Sequence, residues 1–267
     1  MGGSIGPAAS ASSLRAQQSN PESFLCGSLD CFAALAMTDK MWATNYPIAI
    51  AGGLMLTVHH LGKSQSERIV WLCEELAIPY ELKRYARDPV TMLAPAEYKA
   101  LHPIGAAPVI TDGELVLAES GAVVDYIVAK YGNGRLVLGP TDPAFAQFLY
   151  WLHFANGTLQ PGMGRMMILS RLDLAKENPT LLAMKGRLDR AFDLLDARLR
   201  EAEYLAGSAF TTADIMTVFS LTTMRYFQPY DVSRCPNVVK YLGRIGARAG
   251  YRRAMEKGDP GMALLLN

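Results

Sequence analysis

The sequence predicts two domains, a small α/β domain with a mixed sheet followed by an all-α helical bundle. In the first part, short β-permissive runs alternate with amphipathic stretches in the order β-α-β-α-β-β-α. Pro140 and Pro143 mark a change of character, because beyond them the apolar residues recur only at helical spacing. The chain has 267 residues, which is long enough for one large domain or two ordinary ones, and its hydrophobic content of 50% is typical of a globular protein.

Charge and cysteine content exclude several functional classes. Lys and Arg number 26 against 25 for Asp and Glu, so the formal net charge is only +1 and gives no reason to expect nucleic acid or an anionic membrane as partner. The four cysteines lack the paired spacing of a zinc or redox site, so we expect no metal and a reducing, cytoplasmic location. The expected partner is a small molecule or another protein.

Residues 1–53 are expected to be an extension to the fold. The first 20 residues are mainly Ala, Ser, Gly and Gln, with one base and no acid, a composition that favours disorder. A start codon assigned too early, ahead of Met55, would explain the same pattern. A transit peptide is the weaker alternative, and a signal peptide is not indicated because the basic start and the unbroken apolar centre are missing.

The predicted α/β domain covers residues 54–134, and proline, glycine and serine punctuate its elements. In order, the predicted elements are a strand at 54–59, a helix at 65–76, a strand at 80–85, a short helix at 98–101, a strand from Pro108, a hairpin turn at Asp112-Gly113, a strand at 114–117 and a helix from Ser120 to Gly132.

A linker over residues 135–143 leads to the predicted helical domain, residues 144–267. Apolar residues recur at helical spacing over 145–152 and again over 188–199. The second stretch spans too few turns for a coiled coil, so it is expected to form the core of a helix bundle, with Asp196 and Arg200 paired on its exposed face.

Several short motifs occur together in a characteristic order. They are Ser-Gln-Ser-Glu-Arg at 64–68, Trp-Leu-Cys-Glu-Glu-Leu at 71–76, His-Pro-Ile-Gly-Ala-Ala-Pro-Val at 102–109, Glu-Ser at 119–120 and Phe-Thr-Thr-Ala-Asp at 210–214. From about Leu54 to the C-terminus the chain resembles the cytosolic glutathione S-transferases, particularly bacterial and fungal members with an active-site serine. The resemblance implies a thioredoxin-like first domain, glutathione as co-substrate and a homodimer.

Ser64 resembles the catalytic serine of that family by its spacing from Arg68. Its hydroxyl would act as a hydrogen-bond donor to the glutathione thiolate, helped by the positive N-terminus of the first helix. Ser66 is the competing candidate. A structural alternative is that Ser64 and Glu67 form the capping box S-x-x-E. The neighbouring histidines at positions 59 and 60 are expected to face solvent at a strand end.

Two further motifs resemble glutathione-binding elements. Ala107-Pro108 resembles the cis-proline that lets the preceding backbone pair with the cysteinyl unit, the alternative being an ordinary trans-proline at a strand start. Glu119 and Ser120 resemble the pair that receives the γ-glutamyl end, and they also suit the N-cap of a helix. Many relatives carry Lys two residues before the cis-proline, where this chain has Ala106. The cations that could replace it are Lys83, Arg84, Arg87 and Lys99.

The second substrate is expected to meet Met163, Met167 and Tyr226, since methionines line adaptable pockets, although core packing would suit the methionines equally. Thr211 and Asp214 resemble the buried capping box of the family and are interpreted as structural.

The resemblance implies detoxification by conjugation of glutathione thiolate to an electrophilic, partly apolar small molecule. The alternatives are a glutathione-dependent peroxidase or thiol reductase, and a non-catalytic ligand-binding or interaction module on the same fold.

Overall fold

A computed structural model describes residues 55–267, so the predicted extension at 1–53 lies outside the described residues. The α/β part has the predicted order of elements. These are β1 (Thr57–Leu61), α1 (Glu67–Leu76), β2 (Glu81–Tyr85), α2 (Ala96–Lys99), β3 (Val109–Asp112), β4 (Leu115–Ala118) and α3 (Ser120–Tyr131).

The sheet is mixed, as predicted, with strand order β2-β1-β3-β4. β1 and β2 run parallel because α1 crosses over between them, whereas the β1–β3 and β3–β4 pairs are antiparallel. The predicted hairpin turn is wrong by one residue. Asp112 pairs with Leu115, so the two-residue loop is Gly113-Glu114, and Gly113 adopts the positive φ of 67° that such a tight loop favours.

The remainder of the described chain is helical, and residues 144–267 contain no strand. A π-helical turn (Ala155–Leu159) and a 3-10 turn (Thr223–Tyr226) interrupt it. Over residues 55–267, none of the helices is both long enough and apolar enough to span a membrane. The helices are α4 (Phe145–Phe154), α5 (Gln160–Leu169), α6 (Pro179–Glu201), α7 (Thr212–Leu221), α8 (Pro236–Ala247) and α9 (Ala249–Gly258).

Helix α1 is the element that joins the sheet to the helical part. Nine of its ten residues are buried, because it packs beside β1 and α3 and also against α7 and α9. Cys73 is buried in its core face. The apolar residues of the 188–199 stretch are also buried within the large core that runs through both parts, so this stretch belongs to a bundle, as predicted.

The predicted pair of Asp196 with Arg200 is wrong. Asp196 instead accepts hydrogen bonds from the backbone N–H of Asn237 at 2.7 Å and of Val238 at 3.1 Å. It therefore caps the N-terminus of α8, where free N–H groups and the helix dipole offer a better partner than a solvated guanidinium does.

Asp214 forms the predicted capping box with Thr211 at the start of α7. Its Oδ2 accepts from the Thr211 N–H at 2.9 Å. Its Oδ1 accepts from the Leu205 N–H at 3.0 Å and from the Tyr241 hydroxyl at 2.9 Å. This fully buried carboxylate therefore ties α7 to the loop after α6 and to α8.

We predict that Asp214→Ala lowers the free energy of unfolding by about 3 kcal/mol or more, because the lost cap costs ~0.5–2 kcal/mol and each buried donor left unpaired ~1–3 kcal/mol. Urea unfolding above neutral pH is the measurement, since burial raises the pKa of Asp214 to about 6. Asp196→Ala, which removes only a half-buried cap, is the control and should cost ~0.5–2 kcal/mol. Equal losses in the two variants would contradict the structural role.

Candidate active site

A cleft of about 640 Å³ opens between the α/β part and the helical part. The loops that follow β1 and precede β3 form one wall, to which Ser64, Gln65 and Ala107 contribute. The start of α5 with Gln160, together with the end of α7 and the 3-10 turn, forms the facing wall. This volume suits a small molecule held between the two parts.

The charge of the cleft is positive. Four basic residues line it, and among the described residues no Asp or Glu does. Such a wall attracts an anionic ligand. The four are Lys63, Arg87, Lys99 and Arg171.

The geometry separates the two candidate serines. Ser64 lines the cleft, whereas Ser66 is completely buried behind it, with the two Oγ atoms 2.7 Å apart. Ser66 Oγ accepts from the Leu61 N–H at 3.1 Å and lies 3.0 Å from Nδ1 of His60. Only Ser64 can therefore reach a ligand in the cleft directly.

The capping-box alternative for Ser64 is wrong. Helix α1 begins at Glu67, and Ser64 Oγ accepts from the N–H of Ser66 at 3.2 Å. The Glu67 carboxyl group instead accepts from the hydroxyl of Thr223 in the 3-10 turn. Within residues 55–267 the backbone N–H groups of Ser64 and Gln65 make no hydrogen bond, so they remain available beside the hydroxyl.

The prediction that the two histidines face solvent is also wrong. His59 is 4% exposed and His60 is fully buried, because β1 is an inner strand of the sheet. His59 lies within hydrogen-bond distance of the Tyr85 hydroxyl at 2.9 Å, and His60 Nε2 lies 3.0 Å from Oδ2 of Asp259. Their buried positions follow from packing on both faces of the sheet.

The peptide bond between Ala107 and Pro108 is cis, as predicted. Ala107 lines the cleft, and its backbone N–H and C=O make no hydrogen bond to another described residue. Both groups are therefore available to an extended ligand.

Glu119 and Ser120 lie where β4 meets α3. Glu119 is the N-cap residue with a positive φ of 71°, a strained conformation for a non-glycine residue, and its exposed side chain makes no capping bond. The buried Ser120 Oγ accepts from Arg68 Nη1 at 3.2 Å and from Asn156 Nδ2 at 3.0 Å. A serine hydroxyl has two acceptor positions and one donor, so its hydrogen is not committed to a described residue. Ser120 is only 3% exposed, however, and neither it nor Glu119 lines the cleft of about 640 Å³.

Arg68 is the residue whose importance the sequence motifs did not reveal. Its guanidinium is buried and donates to Gln65 at 2.9 Å, to Ser120, to Asn156 at 3.2 Å and to Gln160 at 2.7 Å. These acceptors come from both walls of the cleft. Because these acceptors are far apart in sequence, no pattern predicted that they would meet. The only indication was the arginine itself in the motif at 64–68.

Only one of the three residues predicted to contact the second substrate lines the cleft. Met167 lines the cleft, but Met163 is fully buried in the core, where α5 packs against its neighbours. Tyr226 does not line the cleft, since its hydroxyl donates to the carbonyl of Ala263 near the C-terminus. The apolar lining on the side of the helical part instead includes Pro161, Phe219, Met224 and Phe227.

Residues 55–267 contain no group of three or more His, Cys, Asp or Glu side chains that could hold a metal ion. The cleft instead offers hydroxyl, amide, backbone and basic groups opposite an apolar wall.

Comparison with known proteins assigns this geometry to a family. Residues 55–129 match the glutathione S-transferase N-terminal domain, and residues 144–249 match the glutathione S-transferase C-terminal domain. The chain belongs to the glutathione S-transferase family. The two matched segments correspond to the α/β part and to most of the helical part, so the predicted family is confirmed.

Individual glutathione S-transferases agree with this assignment. Glutathione S-transferase 3 of Schizosaccharomyces pombe is 30% identical, with 76% of this chain and 88% of the relative covered. The crystal structure of a glutathione S-transferase from Actinobacillus pleuropneumoniae superposes with a TM-score of 0.70 at 31% identity, covering 77% of this chain and 93% of that one. A glutathione transferase homologue from Sulfitobacter, with bound glutathione, shares the fold with a TM-score of 0.62 at 24% identity, covering 77% and 99%.

In this transferase, Glu67 links α1 to the 3-10 turn after α7. The side chain lies behind the cleft and is 4% exposed. Burial raises the pKa of Glu67 to about 8, so the group is mainly a neutral acid at physiological pH. The folded protein then keeps a proton that the unfolded chain, with a pKa of about 4.5, releases. Stability is therefore expected to fall as pH rises between these two values.

We predict that Glu67→Gln removes part of this decline, because the amide keeps an acceptor for Thr223 and cannot ionise. Relative to the wild type, the variant should gain up to about 1.4 kcal/mol for each pH unit within that window. Thermal unfolding of both proteins from mildly acidic to mildly alkaline pH measures the difference. Glu114→Gln in the exposed hairpin is the control and should follow the wild type. A Glu67→Gln curve parallel to the wild type would refute the raised pKa.

Proposed function

We propose that this family member is a cytoplasmic, homodimeric glutathione transferase that conjugates glutathione thiolate to an electrophilic, partly apolar small molecule. The observation that carries the proposal is one cleft with a serine hydroxyl and free backbone groups on one wall and an apolar surface on the other. The Sulfitobacter homologue, which has the same fold, holds glutathione. The dimer and the location rest on the family alone.

The α/β wall has groups that match the polar parts of glutathione. The N–H and C=O of Ala107 would pair with the cysteinyl backbone as an added strand does. The free Ser120 hydroxyl and the N-terminus of α3 would hold the γ-glutamyl carboxylate. The Glu119 carboxylate would accept from the γ-glutamyl ammonium. The tripeptide would thus be held at its cysteinyl unit and at its γ-glutamyl end, with its sulfur near Ser64.

Lys99 is the best candidate for the cation that replaces the lysine missing at position 106. It lines the cleft, and although its backbone N–H donates to the Pro95 carbonyl, its ammonium group makes no hydrogen bond or ion pair to another described residue. Its Cγ lies 3.8 Å from the position that a Cβ on Gly105 would occupy, so its stem packs beside the loop that carries Ala106. It would pair with the glycyl carboxylate.

The other three cations fit this role less well. Arg87 donates to the carbonyl groups of Gly62 and Met92, each at 2.7 Å, and is thereby committed to holding loops. Arg84 lines a different depression, and Lys83 lies 3.9 Å from Glu81 outside the cleft.

The competing reductase function is disfavoured by the positions of the thiols. Cys73 and Cys235 are both buried, and among the described residues no cysteine lines the cleft. The described residues of the cleft therefore include no thiol that could form a mixed disulfide with glutathione. The positions of the thiols do not bear on the other two alternatives. A peroxidase would differ only in its second substrate, and a binding module would have no second substrate.

We predict that the protein binds glutathione and turns over an aryl halide faster than an organic hydroperoxide or a mixed disulfide. A calorimetric titration with glutathione, followed by initial rates on these three substrates, measures both properties. Faster turnover of the hydroperoxide or disulfide would replace conjugation by the corresponding alternative. Binding without turnover of any substrate would favour the binding module.

Ser64 is proposed to stabilise the thiolate by donating a hydrogen bond, and we predict that Ser64→Ala raises the pKa of bound glutathione towards its free value. Losing a hydrogen bond to a charged group, ~1.5–3 kcal/mol, lowers kcat roughly ten- to a hundred-fold. Glutathione affinity should stay within a few fold, because Ala107, Glu119 and Ser120 hold the rest of the tripeptide. Ultraviolet absorbance of the thiolate against pH is the measurement.

Ser66→Ala is the comparison variant for this titration and should shift it less than Ser64→Ala. A shift in Ser66→Ala alone would transfer the role to Ser66. If neither variant shifts the titration, the backbone N–H groups of Ser64 and Gln65 hold the thiolate without a serine.

A further inference from the structure

We propose that His60, held by Asp259, accepts the proton of the glutathione thiol through a relay of Ser64 and Ser66. The inference rests on the proposed function and deepens it. Four side chains form a continuous series that starts at the cleft. Ser64 Oγ lies 2.7 Å from Ser66 Oγ, which lies 3.0 Å from His60 Nδ1, and His60 Nε2 lies 3.0 Å from Asp259 Oδ2.

The direction of the hydrogens follows from the fixed end of this series. An Asp259 carboxylate can only accept, so His60 Nε2 carries the hydrogen and Nδ1 of the neutral ring is an acceptor. Ser66 therefore donates to Nδ1 at 3.0 Å rather than to the more distant Leu61 carbonyl at 3.4 Å, and it accepts from the Leu61 N–H at 3.1 Å. Its second acceptor position takes the hydroxyl of Ser64. Before the thiol ionises, all three hydrogens point away from the cleft.

This arrangement leaves Ser64 Oγ as an acceptor for the thiol S–H. The proton moves from sulfur to Ser64 Oγ, the former Ser64 hydrogen moves to Ser66 Oγ, and the former Ser66 hydrogen moves to Nδ1 of His60. One S–H bond breaks, one N–H bond forms, and nothing is oxidised or reduced. After the transfer the hydroxyl hydrogens point the other way, so that Ser64 donates to the new thiolate.

Burial makes the pairing with Asp259 essential to the relay. His60 and Ser66 are fully buried, and a buried imidazolium is unstable without a counter-charge. Asp259 supplies that charge and is fixed in place, because its Oδ1 accepts from the Lys63 N–H at 3.0 Å. Gly258 allows the ring to come this close, since a Cβ at that position would lie 3.1 Å from Nε2.

Other charged groups lie near the His60 ring on β2, on α1 and in the neighbouring loops. From β2, Arg84 lines the same depression, and Lys63 and Arg87 lie in the loops nearby. From α1, Glu67 is mainly neutral and so leaves Asp259 as the acidic partner. His59 makes its contacts with Tyr85 and Thr111 and has no bond to the relay.

A second depression lies beside the far end of the series, where the proton would leave by way of Asp259. It has a volume of about 510 Å³ and is lined by His60, Arg84 and Asp259, among other residues. Ser64 does not line it, and His60 does not line the substrate cleft. The two openings share only Lys63, and Asp259 lines only the second one. The Nε2 proton of His60 can pass to Asp259 and from there to solvent while glutathione and the second substrate fill the cleft.

The test follows thiolate formation and proton release after rapid mixing with glutathione, using ultraviolet absorbance and a pH-indicator dye in weak buffer. His60→Gln can keep hydrogen bonds to both neighbours but cannot take up the proton, and Asp259→Asn keeps an acceptor without the charge. Both variants should slow thiolate formation and proton release about ten-fold or more, with KM for glutathione within a few fold. His59→Gln, the adjacent buried histidine outside the relay, should behave as the wild type.

A double variant distinguishes proton transfer from a purely structural role. Once Ser66→Ala has cut the relay, adding His60→Gln should slow thiolate formation little further, so the two effects should not add. If His60→Gln and Asp259→Asn lower only the melting temperature and leave the rate of thiolate formation unchanged, the relay is wrong, while a Ser64→Ala effect would keep the proposed function. If the wild type forms no thiolate on binding glutathione, both proposals are overturned. Should His60→Gln fail to fold, Asp259→Asn gives the same two outcomes.

Discussion

The buried guanidinium of Arg68 is the constraint on which the cleft depends. A charge without access to water is tolerated only when its donors find acceptors. Gln65, Ser120, Asn156 and Gln160 accept from its Nη1 and Nη2 atoms, while Nε makes no hydrogen bond to a described residue, and the centre of the Phe219 ring lies 5.1 Å from the guanidinium. These residues belong to the loop before α1, the start of α3, the π-helical turn, α5 and α7. One ion thus fixes both walls relative to each other.

This constraint explains how a mostly helical scaffold presents polar groups without losing its core. Helix α1 carries apolar residues on nearly every side because the sheet and the helical part cover it together. Its charged residues lie at its two ends, with Glu67 and Arg68 near the cleft and Glu74 and Glu75 paired with arginines of the helical part. The π-helical turn brings Asn156 and, just after it, Gln160 to the same guanidinium, in keeping with the frequent use of such wide turns at functional sites.

At this N-terminus one side chain reaches the cleft, and the side chains that support it are buried. Ser64 meets the cleft, while Ser66 and His60 are sealed behind it and Asp259 closes the series from the far end of the chain. A buried series of hydroxyl and imidazole groups has well-defined hydrogen-bond directions because no water competes for them. The same packing that stabilises the loop after β1 also determines which atoms can donate to a ligand.

The sequence by itself determined the order of elements, the mixed sheet, the cis bond at Ala107-Pro108 and the capping box of Asp214. The order of elements follows from residue spacing over short segments, whereas the cis bond and the capping box were predicted from short motifs that resemble a family. The hairpin shift at Gly113 shows how far such patterns reach, since turn residues identify a loop more reliably than its register. Apolar periodicity likewise identified helices without fixing their neighbours.

Only the tertiary structure decided which side chains meet. Met163 and Met167 lie one turn apart on α5, yet packing buries the first in the core and leaves the second in the cleft. The histidines of β1 are buried because strands and helices from elsewhere cover them. His60 and Asp259 are 199 residues apart, and no periodicity or motif spans such a distance. Contacts of this kind form only when segments distant in sequence pack together. Their contribution to stability therefore cannot be read from any local segment.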